Sequence, residues 1–87
     1  MLEPIDKNGI RLSKGTSVRM LSASDELLSG LPEDDQLAIR AIVGKELRVK
    51  GFDEYGHVEL WFTDKDETYH YIWVRPSDLE VVSEMSR

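Results

Sequence analysis

The chain has no cysteine, only three prolines and two histidines in 87 residues, and no apolar run longer than a few residues. Without cysteine there can be neither a disulfide framework nor a thiolate zinc site, so nothing argues for an oxidising compartment. The short apolar runs leave no room for a membrane-spanning helix, and Met1-Leu2-Glu3-Pro4-Ile5-Asp6 lacks the basic and apolar regions of a signal peptide. A cytoplasmic protein with no membrane partner is expected. The six glycines form neither a P-loop nor a G-x-G-x-x-G fingerprint, and no Ser-His-Asp, Cys-His or H-E-x-x-H spacing occurs. Enzyme activity therefore has no positive support: no catalytic residue, cofactor or metal is expected. His57 and His70 have Asp53, Glu54 and Glu59 nearby, but a metal pair needs a third ligand and a supporting hydrogen bond, so solvated or cross-strand histidines are the simpler reading.

What the chain does contain is 40% hydrophobic and 32% charged residues, enough apolar material for one globular domain whose small core must be well filled. The net charge of −6 repels a phosphate backbone, since affinity there comes from Lys and Arg neutralising phosphates. Nucleic acid is a disfavoured partner on that ground.

Asn8-Gly9 is a turn pair between Ile5 and Ile10, so residues 1–13 read as an amino-terminal arm or small hairpin. Thr16 to Leu21 is β-branched and apolar and reads as a first strand. Pro32 followed by Glu33, Asp34 and Asp35 marks a helix start, with three carboxylates at the positive end of the macrodipole, and Gly44 marks its end. The predicted helix spans 32–43. Its periodicity assigns Leu37, Ala38, Ala41 and Ile42, with Ile39 and Val43, to the buried side, and Gln36 and Arg40 to the polar stripe. Period-two alternation predicts strands over 45–52, with Leu47 and Val49 inward, and over 57–63, with Val58, Leu60 and Phe62 inward and Trp61 outward. A turn over 53–56 joins these two. After a charged loop at 63–68 comes a strand at 68–74. Trp73-Val74-Arg75-Pro76-Ser77-Asp78-Leu79-Glu80-Val81-Val82 then reads as strand, one tight helical turn, strand.

Lys14-Gly15-x-x-Val18-Arg19-x-Leu21 at the opening and Val74-Arg75-Pro76-Ser77-Asp78-Leu79-Glu80 at the close resemble an SH3-like barrel. The resemblance covers residues 14–83, leaving 84–87 as a frayed tail. It implies a mainly-β fold, a five-stranded antiparallel barrel with a helix inserted between strands 1 and 2. The pattern is closer to small bacterial accessory subunits, such as those of photosystem I and ferredoxin–thioredoxin reductase, than to signalling SH3 domains. Met20-Leu21-Ser22-Ala23-Ser24 stands where a signalling domain carries Ala-Leu-Tyr-Asp-Tyr, and Leu79 stands where it has a tyrosine, so walls of a polyproline groove are missing.

All seven aromatic rings fall between residues 52 and 73. Alternation puts Tyr69, Tyr71 and Trp73 on one face of their strand and His70, Ile72 and Val74 on the other. A one-residue slip in the preceding hairpin decides which face is core, and the place of Val74 just before the closing turn favours Val74 inward. The expected working surface is Trp61, Tyr69, Tyr71, Trp73 and Tyr55, since exposed rings are typical interface anchors. The function expected is a non-catalytic protein-interaction module or small accessory subunit, monomeric or weakly dimeric, with an unknown protein partner. The alternative is a nucleic-acid-binding small barrel, whose aromatic platform would stack bases.

Overall fold

The structure is a computed structural model that describes residues 2–82; the tail expected at 84–87 lies outside the described residues. The elements are β1 (Ser17–Met20), the single-turn helix α1 (Asp25–Leu28), α2 (Glu33–Ala41), β2 (Glu46–Phe52), β3 (Val58–Thr63), β4 (Tyr69–Val74), a 3₁₀ turn (Pro76–Asp78) and β5 (Leu79–Val81). All strand pairs are antiparallel, in the order β4-β3-β2-β1-β5.

β2 changes partners along its length. Glu46, Leu47 and Arg48 pair with β1, whereas Val49, Gly51 and Phe52 pair with β3. The register shifts between Val49 and Gly51, leaving Lys50 as an extra residue, so the sheet bends there. Glycine inside a strand is a usual mark of such a bulge. The bend brings the inward residues Val18, Met20, Val49, Val58, Leu60, Ile72, Val74 and Leu79 into one core.

The sheet does not close into a barrel. β4 and β5 stand at opposite ends of the strand order. The outer side of β5 is already occupied by the amino-terminal hairpin, in which Ile5 bridges Arg11. There the Lys7 N–H donates to the Leu79 carbonyl at 3.0 Å, and the Val81 N–H donates to the Asp6 carboxylate at 2.8 Å. With those groups satisfied, β5 has little left to offer β4.

α2 follows β1 and α1 and is shorter than the expected 32–43: Pro32 is its N-cap, Ala41 its last residue and Ile42 its C-cap, and beyond it the Gly44 N–H is bonded to the Met20 carbonyl. Gly44 has φ +87°, the left-handed backbone that glycine adopts without strain. The helix docks through Ile39 and Ile42, both buried, with Ala38 and Val43 packed alongside. The expected burial of Leu37 and Ala41 is not found: Leu37 is 57% exposed and Ala41 is also on the outside. Periodicity put Leu37 and Ala41 at the centre of the buried side and Ile39 further round, and packing reversed that order. Leu37 stands about 160° from Ile39 around the axis, so packing on Ile39 turns it to solvent. α1 supplies Leu28 to the core and is capped by the Ser24 hydroxyl, which accepts from the Leu27 N–H.

Candidate functional site

The outer face of the β3–β4 ribbon is aromatic. Unbroken register from Val58↔Val74 to Thr63↔Tyr69 sets Trp61 opposite Tyr71 and Glu59 opposite Trp73. Leu60, Phe62, Ile72 and Val74 point inward, so the rings between them must point out. Trp61 is 47% exposed, Tyr69 76%, Tyr71 68% and Trp73 40%. Of the two registers open to the sequence, the structure has the one with Val74 inward.

Glu59 and Lys50, two charged side chains not expected beside Trp61, hold it in place. Its indole N–H donates to the Glu59 carboxylate, and the Lys50 ammonium lies 5.3 Å from its ring centroid, within cation–π range. Glu59 was accessible from its i, i+2 spacing to Trp61, which puts both on one strand face. Lys50 was not, because its position over the ring depends on the bulge. Tyr55 stands apart from this row, in the β2–β3 turn, edge-on to His57 with ring centroids 6.5 Å apart.

The two histidines lie in separate surroundings. His57 Nδ1 is 3.0 Å from the Asp53 carboxylate, which also accepts from the backbone N–H groups of Tyr55 and His57. Desolvation pushes the Asp53 carboxyl up, but those N–H donors and the imidazole outweigh it and hold the pKa below the ordinary aspartate value. His70 stacks on Phe62 at 5.0 Å, with Nε2 2.9 Å from Asp64 and Nδ1 3.9 Å from Asp35 at the start of α2. Asp64 is likewise lowered, chiefly by the His70 hydrogen bond and then by the Thr68 N–H. Each histidine thus ties down a turn. Among the described residues no three His, Asp or Glu side chains form a group that could hold a metal ion.

Two hollows flank the ribbon. One, of about 420 Å³, runs beside β4, with Tyr71 to Arg75 on one bank and Glu26, Leu27 and Leu31 on the other; Asp53 and His57 line it too. The Arg75 guanidinium bonds the Glu26 carboxylate at 2.7 Å across it. The second, of about 740 Å³, lies between α2 and the β3–β4 loop and is lined by Leu37, Ala41 and Lys45 together with Asp64, Lys65 and Thr68. Exposed Leu37 forms part of its apolar wall.

No family model, curated protein or solved structure matches the chain. Among the described residues no helix is long and apolar enough to cross a membrane.

Proposed function

We propose that this protein is a non-catalytic interaction module, or small accessory subunit, that binds a protein partner through Trp61, Tyr69, Tyr71 and Trp73. The observation that carries this reading is the contiguous exposure of four rings on one two-stranded ribbon whose opposite face is core. The exposed parts of these rings add little to the stability of the chain alone, and such patches mark interaction sites. Large rigid rings with a polar edge suit an interface because burying them costs little side-chain entropy. The strand order β4-β3-β2-β1-β5, with a 3₁₀ turn before the last strand, supports an SH3-like architecture in an opened form. That likeness is one of architecture and says nothing about partner identity.

The test is affinity capture with the parent protein and with the Trp61→Ala and Tyr71→Ala variants, each first shown to be folded by its melt. A partner retained by the parent, lost by both variants and reproduced with purified components supports the reading. Salt-sensitive binding of single- or double-stranded oligonucleotides at low salt would overturn it in favour of the nucleic-acid alternative.

A further inference from the structure

The rings of β4 occupy the same residues whose backbone faces the open edge of the sheet. In an antiparallel pair, alternate residues exchange both backbone hydrogen bonds with the partner strand, and the residues between them point their N–H and C=O away. The Asp64 N–H donates to the Thr68 carbonyl at 3.0 Å, which sets the alternation: His70, Ile72 and Val74 bond to β3. The N–H and C=O groups of Tyr69, Tyr71 and Trp73 therefore face outward, and among the described residues they have no hydrogen-bond partner. Sheet edges are normally blunted by lysine, proline, a bulge or a covering segment. β4 contains no lysine or proline and has no register break. The hollow beside it leaves room along Tyr71 to Val74, and Leu27, Leu31, Ile72 and Val74 are the aliphatic part of its lining.

We infer that the β4 edge binds an extended segment of a partner protein as an added strand, apolar in its middle and carrying Lys or Arg at each end. This rests on the interaction-module reading and specifies its geometry. The charge pattern selects the occupant. The hollow at the Val74 end carries Glu26, Asp53 and Asp78 against Arg75, and the loop at the Tyr69 end carries Asp64, Asp66 and Glu67 against Lys65. Between those acidic ends β4 itself carries no Asp, Glu, Lys or Arg. A second copy of the chain would bring the same acidic ends and another net charge of −6, so a basic segment is the complementary occupant.

The probe is the capped peptide Lys-Val-Thr-Val-Thr-Val-Lys, with binding followed by amide hydrogen exchange in the full chain. Expected is slowed exchange at Tyr69, Tyr71 and Trp73, while the ladder amides of His70 and Ile72 change little. Two backbone N-methylated analogues, one modified at the valines and one at the threonines, should differ. The set whose N–H groups face β4 should lose about tenfold or more in affinity and the other set should lose little. A Glu-ended analogue should bind about tenfold more weakly. Absence of binding by the parent peptide, equal binding by both methylated forms, or equal binding by the Glu-ended form overturns the inference. So does protection of Tyr69, Tyr71 and Trp73 that grows with protein concentration and no peptide, which would make a second copy the occupant. Trp61 separates this inference from the broader reading, since its ring is on the aromatic face but its backbone belongs to interior strand β3. If Trp61→Ala abolishes capture of the protein partner while no peptide protects β4, the face reading stands and the added strand falls.

Discussion

At the β5 edge the Leu79 carbonyl accepts from Lys7, the Leu79 N–H is bonded to the Pro76 carbonyl, and the Val81 N–H donates to Asp6. At the β4 edge the corresponding groups of Tyr69, Tyr71 and Trp73 have no such partners among the described residues. The covered strand is three residues long and follows a proline; the open one has six residues in continuous register. The same chain thus contains both the means of closing an edge and an edge on which none is used. Backbone groups left free along a regular strand with no Lys, Arg, Asp or Glu invite pairing, so the proposed added strand would sit at β4, whereas β5 is already held by the amino-terminal hairpin.

Removing the cover should have the largest effect. Asp6 is 4% exposed, and its carboxylate receives the N–H groups of Asn8, Ile10 and Val81. Asp6→Ala leaves those donors unpaired and should cost about 3 kcal/mol in a urea melt. A variant that melts like the parent would show that the hairpin contributes nothing to the β5 edge.

The two edges should also respond differently to acid. Burial raises the Asp6 pKa, but the N–H groups of Val81, Ile10 and Asn8 outweigh it and bring it below the ordinary 3.8. A carboxyl lowered in the folded state contributes stability above its unfolded value and loses it as the pH falls through the folded one. The Val81 amide should therefore lose exchange protection as the pH falls below 3.8, after correction for intrinsic rates. The amides of Tyr69, Tyr71 and Trp73 should lack protection across the same range. Equal pH response at both edges would remove the distinction.

Trp61→Ala should change stability by about 1 kcal/mol or less, because the ring is half in solvent. A loss of about 3 kcal/mol would mean that it behaves as a core residue. Smallest of all, Tyr71→Lys should shift the melt by about 0.5 kcal/mol or less while suppressing pairing at β4, since it adds the kind of charge that guards edges elsewhere. Peptide protection of the β4 amides is the measurement that decides it; undiminished protection would show that pairing ignores the edge charge.

Much of the local structure was legible in the chain. Pro32, the acidic run at 33–35 and Gly44 bracketed α2, and alternation at 57–63 placed Trp61 outside, because capping chemistry and strand periodicity act over a few neighbouring residues. The aromatic composition of the candidate site could be read in the same way. Tertiary structure alone decided that Ile39 rather than Leu37 meets the core and that Lys50 reaches Trp61, and it fixed the inward Val74 that its place before the closing turn had only favoured. It also decided that Asp6, 75 residues before Val81, seals one edge while the other stays open. Each depends on which distant surface an element packs against, and local sequence encodes an element's faces without encoding the neighbour that will cover them.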